Sequence, residues 1–203
     1  MGPEDSIFNA VYRYTKALMV ALGYRDTLLT RLHSERVQGL AEEVGLRCGF
    51  SKNEICSLRI AASFHDIGKI GIPDRVLLKP AQLDKDEFEI IKQHSEIGEK
   101  IMSSTELEGS QHVALLIRHH HEHYNGMGYP DRFSGEEIPI CARIITIADS
   151  YDAMAVTRAY HHARTHQEIM AVLHKETGKK HDPELMRVFC EIIEFSKFKT
   201  AKI

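Results

Sequence analysis

Several features that would define a function outright are missing from this sequence. No apolar run approaches the ~20 residues that are needed to cross a bilayer, and the opening residues from Met1 to Asp5 are polar and acidic, unlike a signal peptide. The four cysteines show no CxxC spacing, which argues against a disulfide framework or a thiolate zinc site and indicates reduced thiols in a cytosolic protein. The net charge of −3 excludes a global basic field for long nucleic acid, but a small anionic ligand could still bind where positive charge is concentrated locally.

The rest of the composition is typical of one helical domain. With 203 residues, of which 43% are hydrophobic and 27% charged, the chain is long enough to bury a substantial core. It has no convincing strand pattern, no internal repeat and no low-complexity segment. Apolar residues recur at helical spacing instead, as in Val37, Leu40, Ala41 and Val44, and this predicts an all-α fold.

Capping residues mark several helix boundaries. Asp84 with Glu87 three residues later predicts a helix start of the capping-box type, and Asp182 followed by Pro183 predicts another. The other predicted elements are a helix with Pro139 in its first turn, a helix within residues 165–177, and ordered loops at residues 71–82 and 124–137.

The thirteen histidines are the anomaly in the composition. His65 and Asp66 are adjacent, so the imidazole can ligate one metal ion while the carboxylate bridges to a second. A single histidine on an apolar helix face is usually a core residue with a hydrogen-bond partner. Here several polar residues fall on faces that Leu or Ile would otherwise fill, and a pair of cations would give them a common partner. The other members of this set are His33, His94, His120, His121 and Asp149.

The size of this set favours two ions over one. Seven ligands are too many for one tetrahedral zinc ion but suit two ions that also hold water, and two ions about 3.5–4 Å apart form a clamp for phosphoryl-transfer hydrolysis. His120 and His121 are predicted to continue the apolar stripe of a helix that carries Val113 and Ile117. Adjacent helical residues point ~100° apart, so both histidines can reach one ion only if it lies near the helix end.

Together these segments resemble the HD-GYP subfamily of the HD-domain phosphohydrolases, over roughly Arg25 to Phe189. The resemblance rests on an ordered series of motifs that includes His65-Asp-Ile-Gly-Lys-Ile-Gly-Ile-Pro-Asp74, His120-His-Glu122, Gly128-Tyr-Pro130 and Ala148-Asp149. It implies an all-helical HD-domain bundle with ordered loops and a metal site in its core. It also implies divalent ions, iron or manganese ahead of nickel or zinc, and hydrolysis of cyclic dinucleotides, chiefly cyclic di-GMP, in bacterial signalling.

The resemblance also assigns roles to individual positions. It implies that one metal is held by His33, His65, Asp66 and Asp149, and the other by Asp66, His94, His120 and His121, with Asp66 as the bridge. Asp66 and Lys69 would be catalytic, and the substrate contacts would be Lys69, Tyr129 and Arg158. The competing interpretations are a helix-end lysine for Lys69, a packing aromatic for Tyr129 and a surface arginine for Arg158. We interpret Glu122 as a residue that orients a ligand, and His119 and His123 as solvated.

Three positions depart from the family pattern. Leu29 stands where some members have a glutamate that helps to hold a third metal, so we predict two metals, and further cleavage of the product to GMP becomes doubtful. Asn125 replaces an aspartate before the signature loop, and His161 replaces a cation. Both changes could shift the preference for substrate.

The reaction that we predict is hydrolysis of cyclic di-GMP to linear pGpG, in which two ions share a water molecule and lower its pKa so that the resulting hydroxide attacks phosphorus. One alternative is hydrolysis of a hybrid cyclic GMP–AMP. Another is a catalytically weak sensor of cyclic dinucleotides, or a module that docks a diguanylate cyclase through the Gly-Tyr-Pro loop. A general HD nucleotidase is a third interpretation, which the Gly-Tyr-Pro loop disfavours.

The domain prediction has three parts. Residues 1–24 would be a helical lead-in, with the character of a linker from an upstream regulatory domain. Residues 25–196 would form the HD-GYP domain, and residues 197–203 a frayed tail.

Overall fold

The structure, a computed structural model, describes residues 27–156 and 163–200, with residues 27–31 described by their backbone alone. The predicted lead-in at 1–24 lies outside this part of the chain, as do Arg158, His161 and the side chain of Leu29. No strand occurs within the described ranges, which contain only two isolated β-bridges. The predicted all-α class is therefore confirmed.

Eight α-helices and two 3₁₀ turns make up the described part. The α-helices are α1 (Thr27–Arg47), α2 (Lys52–Phe64), α3 (Asp74–Leu77), α4 (Lys85–Ser103), α5 (Ser110–Arg118), α6 (Ile140–Ala155), α7 (His166–Glu176) and α8 (Pro183–Ile193), and the 3₁₀ turns are Ile67–Gly71 and Gly135–Glu137. None of the described helices is both long and apolar enough to cross a membrane.

The predicted caps hold, with one adjustment. Asp84 and Glu87 form a reciprocal capping box at the start of α4, and Asp182 caps α8 with Pro183 in its first turn. Pro139 is the N-cap of α6 and lies outside its first turn, because its ψ of 134° is extended and the helix begins one residue later. The loop predicted at 71–82 contains the one-turn helix α3, and the loop at 124–137 contains a 3₁₀ turn.

The hydrophobic core lies where α1, α2 and α6 pack together, with α4 and α5 against them and α7 and α8 closing the other side. Burial of α6 on almost every face explains its continuous apolar run around Ile144, Ile145 and Ala148. In the segment predicted to fray, Phe198 is half-buried against the core, and the backbone N–H of Thr200 donates to the Tyr151 hydroxyl at 3.1 Å. The described helices thus form one bundle, and several buried polar side chains lie among its apolar core residues.

Candidate metal centre

Seven polar side chains from five separate segments meet at one place inside the bundle. His33 comes from α1, the His65-Asp66 pair from the end of α2, His94 from the middle of α4, the His120-His121 pair from the turn after α5, and Asp149 from α6. Most of these side chains are buried, and His120 has no exposed surface at all. The packing of α1 against α6 and of α4 against α5 brings together residues that are more than one hundred positions apart in the chain.

The seven side chains fall into two groups of donors. One group contains Asp66, His94, His120 and His121, the other contains His33, His65 and Asp149, and within each group the donor atoms all lie within 4.8 Å of one another. Asp66 connects the groups, because its Oδ1 lies 3.5 Å from His94 Nε2 and its Oδ2 lies 3.5 Å from His65 Nε2. The two oxygens of this carboxylate therefore face different donor groups.

Four of the histidines are oriented by a hydrogen-bond contact between Nδ1 and an oxygen atom. The Nδ1 atoms of His65, His94 and His120 each contact the backbone carbonyl three residues earlier, at 2.8, 2.6 and 2.6 Å. Nδ1 of His33 contacts Asp152 Oδ2 at 2.7 Å. In a neutral imidazole, a proton on Nδ1 leaves the lone pair on Nε2, and in each of the four histidines Nε2 points into the cluster.

The donors fit divalent metal ions. Nε2 of His65 is buried and has no hydrogen-bond partner among the described residues, which is rare for a buried polar atom. Imidazole nitrogens with carboxylate oxygens form a donor set that suits iron, manganese, nickel or zinc. The cluster could therefore hold metal, and an ion at His65 would satisfy the unpartnered nitrogen.

Electrostatics keep Asp66 and His120 in their ligating forms but favour a proton on His33. Burial would raise the pKa of Asp66, but Lys69 and the nearby histidines outweigh it and hold the pKa well below its usual range. Burial, with the charges of His65 and His94, lowers the pKa of His120 to about 3, so this imidazole is neutral. For His33, burial is outweighed by hydrogen bonds to Asp149 and Asp152, which raise its pKa to about 9. A proton on His33 would have to leave before its nitrogen could bind a metal.

The paired histidines lie beyond the helix that was predicted to carry them. α5 ends at Arg118, and His120 and His121 follow in a turn. Their rings are tilted by 44° at a centroid separation of 3.9 Å, which both can adopt because the chain has left the helix. The expectation that they share one ion near a helix end is compatible with this geometry, and the predicted extension of the helix through them was wrong.

Gly68 allows Asp66 to approach α4. A Cβ at this position would lie 1.8 Å from the carbonyl oxygen of His94 and 2.6 Å from the backbone nitrogen of Gly98. Only glycine permits the 3₁₀ turn to pack this closely on the helix. The close approach brings the Asp66 carboxylate within reach of His94.

The three predicted substrate contacts have different placements. Lys69 lies in the 3₁₀ turn, with its Nζ 2.6 Å from Asp66 Oδ2. The ring of Tyr129 is tilted at 33° against His121, with the centroids 4.9 Å apart, and also meets Phe88 edge-on. Arg158 lies outside the described residues.

Asp152 is a residue of the site that the sequence analysis missed. Besides contacting His33, it accepts hydrogen bonds from the guanidinium of Arg36 at 2.5 and 3.0 Å. The available signal was its position four residues after Ala148, on the stripe of α6 that is otherwise apolar. A carboxylate there needs a buried partner, and His33 with Arg36 provides it.

The loop after the paired histidines is held by buried polar residues. His119 was predicted to be solvated, but it is 4% exposed, stacks on Phe133 and contacts Asp131 at 2.8 Å. Glu122 was interpreted as orienting a ligand, but its Oε1 accepts hydrogen bonds from the backbone N–H groups of Asp131 and Arg132 at 2.7 and 2.9 Å. These contacts fix the loop that carries Tyr129. His123 is half-buried.

Comparison with known proteins places this arrangement in a family. A family model described as HD domain matches residues 17–185. A cyclic di-GMP phosphodiesterase of Thermotoga maritima is 38% identical over 189 residues, which cover 93% of this chain and 50% of the relative. 3′3′-cGAMP-specific phosphodiesterase 2 of Vibrio cholerae is 34% identical over 162 residues, which cover 80% of this chain and 31% of the relative. The chain thus spans half or less of the length of these relatives.

A solved structure shows the same fold. The HDG"Y"P protein Bd1817 from Bdellovibrio bacteriovorus aligns with a TM-score of 0.65 over 94% of this chain and 62% of that chain, at 17% sequence identity. The family match, the relatives and the shared fold agree with the motifs around His65-Asp66 and Gly128-Tyr-Pro130. The chain belongs to the HD-domain family, within its HD-GYP group.

Proposed function

We propose that this chain hydrolyses a 3′–5′ phosphodiester bond of a cyclic dinucleotide, with cyclic di-GMP as the substrate and linear pGpG as the product. The observation that carries the proposal is the pair of donor groups joined by the two oxygens of Asp66. A relative that is 38% identical is named as a cyclic di-GMP phosphodiesterase, which supports the choice of substrate.

The proposal includes two divalent ions, with iron or manganese preferred. His33, His65, Asp66 and Asp149 would hold one ion, and Asp66, His94, His120 and His121 the other. When bound, such a pair supplies a water molecule of lowered pKa and Lewis-acid stabilisation of the phosphoryl oxygens. Seven donors exceed what one tetrahedral ion uses, which supports a count of two.

The protein's own residues would position and stabilise the reacting phosphate. Lys69 holds an ammonium group beside Asp66, where it can donate to a phosphoryl oxygen as negative charge develops. Tyr129 presents an aromatic wall next to His121, and burial raises the pKa of its hydroxyl, so the hydroxyl keeps its proton and remains a donor. Arg158 is proposed as a further ligand contact.

The second candidate is hydrolysis of a hybrid cyclic GMP–AMP. It is favoured by the Vibrio cholerae relative, which is named for that substrate. Both reactions would use the same donor cluster, and the two substrates differ only in one base. Docking of a diguanylate-cyclase-type partner through the Gly-Tyr-Pro loop, and control by an upstream regulatory domain, are separate proposals; the exposed Met127 beside that loop is compatible with docking.

The test combines metal analysis with product identification. Protein loaded with iron or manganese is assayed side by side with cyclic di-GMP and cyclic GMP–AMP, and bound metal is counted by elemental analysis. We expect about two ions per chain and pGpG as the product. Bound nucleotide without turnover would indicate a sensor and overturn the proposed activity.

The variant Asp66→Ala, compared with a control variant, tests whether Asp66 bridges the two donor groups. Because it removes the donor that both groups share, we expect loss of turnover together with loss of bound metal. Asp86→Ala removes an exposed carboxylate from the first turn of α4 and serves as the matched control, which should keep both properties. Wild-type activity and metal content in Asp66→Ala would contradict the two-metal assignment.

A further inference from the structure

A cavity of about 530 Å³ opens beside the candidate metal centre, between α6 and α7. Asp149 forms part of its wall. The side chain of Asp149 is 17% exposed, whereas those of His33 and His65 in the same donor group are 7% and 1% exposed. The cavity therefore reaches the donor cluster through the most accessible member of that group.

The lining of this cavity is basic, although the chain as a whole is acidic. The described residues contribute four cations and two carboxylates, which are Arg164, Lys175, Lys179, Lys180, Asp149 and Glu176. Among the described residues, the four cations have no ion-pair partner. In a protein of net charge −3, this is the local concentration of positive charge that a small anionic ligand requires.

The backbone holds two of the lysines in a fixed turn. The N–H groups of Lys179 and Lys180 both donate to the carbonyl oxygen of Glu176, at 3.0 and 2.9 Å. Their own carbonyls accept hydrogen bonds from the N–H groups of Asn125 and Tyr124, at 2.8 and 3.2 Å. The turn is thus fastened to the segment that follows the paired histidines, and the two ammonium groups extend from a rigid base.

The wall of the cavity also contains an unsatisfied hydroxyl. Ser150, next to Asp149, is 6% exposed, and its Oγ has no hydrogen-bond partner among the described residues. Buried hydroxyls are normally hydrogen-bonded. Because this oxygen has almost no solvent-accessible surface, a ligand in the cavity would not contact it directly, and the cations define the anion site.

We propose that this basic pocket binds a phosphate group of the dinucleotide, while another phosphate of the same molecule occupies the donor cluster. The inference rests on the proposed function. A cyclic dinucleotide has two phosphodiesters, and cutting one creates a terminal phosphate of higher charge. Lysine and arginine are the usual donors to phosphate oxygens. The bound group is therefore either the uncut phosphodiester of the substrate or the terminal phosphate of the product.

The test removes the two lysines of the rigid turn. Lys179→Gln/Lys180→Gln is compared with Lys52→Gln/Lys100→Gln, which lowers the net charge equally at exposed positions outside the cavity. For manganese-loaded protein, KM and kcat are measured with cyclic di-GMP, and Kd is measured by calorimetry with pGpG and with a non-hydrolysable phosphorothioate analogue of cyclic di-GMP.

We expect nucleotide binding to weaken by about tenfold in Lys179→Gln/Lys180→Gln, the turn variant, and to stay within about twofold of wild type in Lys52→Gln/Lys100→Gln, the control. A rise in KM and in all Kd values identifies the uncut phosphodiester, and weaker binding of pGpG alone identifies the terminal phosphate. Equal constants for the turn variant and the control would overturn the pocket assignment. If wild-type protein binds these nucleotides but cuts none, only the proposed activity is overturned. The Kd values of the turn variant and the control would still show whether the pocket binds a phosphate.

Discussion

At the residue scale, the candidate centre depends on how each imidazole is held. Three histidines use a backbone carbonyl three residues earlier, so their orientation is inherent in the local chain. His33 uses the side chain of Asp152, which lies on another helix. Among these four histidines, the orientation of His33 is thus the one that a single side-chain substitution can disturb, because the other three partners are backbone atoms.

We therefore expect Asp152→Ala to weaken metal binding by about 10–100-fold, the usual effect of losing a residue that orients a ligand. Arg36 would also lose its buried partner. Asp152→Asn retains an acceptor oxygen, so its metal affinity should lie between those of Asp152→Ala and the wild-type protein. Metal titration with a competing chelator measures the affinities. Equal affinities for Asp152→Ala and wild type would show that Asp152 does not orient His33 for metal binding.

At the element scale, the site depends on the approach of the 3₁₀ turn Ile67–Gly71 to α4. The glycine at position 68 sits against backbone atoms of α4, which cannot move aside without unwinding the helix. Gly71, in the same turn, faces the flexible side chain of Ile97, whose nearest atom would lie 3.0 Å from an added Cβ. The two glycines therefore offer a matched pair for testing the packing.

Gly68→Ala should push Asp66 away from His94, reducing both stability and metal content. We expect a loss of about 1–3 kcal/mol in the free energy of unfolding, as for other overpacked positions. Gly71→Ala should have a smaller effect, since the Ile97 side chain can rotate. Urea denaturation and elemental analysis provide the measurements, and a Gly68→Ala protein as stable as Gly71→Ala would rule out the close approach.

At the scale of the whole molecule, buried imidazoles make stability depend on pH in opposite directions. Burial is the main cause that lowers the pKa values of His120 and His181 to about 3. Below pH ~6.5 the unfolded chain binds protons at these positions and the folded protein does not, so stability falls with falling pH. The pKa of His33 is instead raised to about 9, so its contribution is complete below pH ~6.5 and is lost as the pH rises toward 9.

We expect metal-free protein to be most stable near pH 6.5. On the acid side the free energy of unfolding should fall by up to about 1.4 kcal/mol per pH unit for each of His120 and His181. His181→Gln should reduce the acid slope without changing the alkaline one. Urea denaturation at pH 5, 6.5 and 8.5 in the presence of a chelator measures the profile. A steady rise in stability across this range would contradict the account of His33.

Features with a local cause could be predicted well from the sequence. The caps at Asp84 and Asp182 form because a side chain reaches a backbone N–H two or three residues away. The burial of His119 could not be anticipated in this way, because its partner Asp131 lies on a loop whose path is set by Glu122 and the packing of Gly128.

The sequence alone determined which side chains are available for chemistry and that the fold is helical, because donor type and helical spacing are properties of short segments. The tertiary structure alone decided that the two oxygens of Asp66 face different donor groups, and that four cations gather beside Asp149. These relations join residues from separate helices and turns. Their distances are set by how whole helices pack, and no short stretch of sequence contains that information.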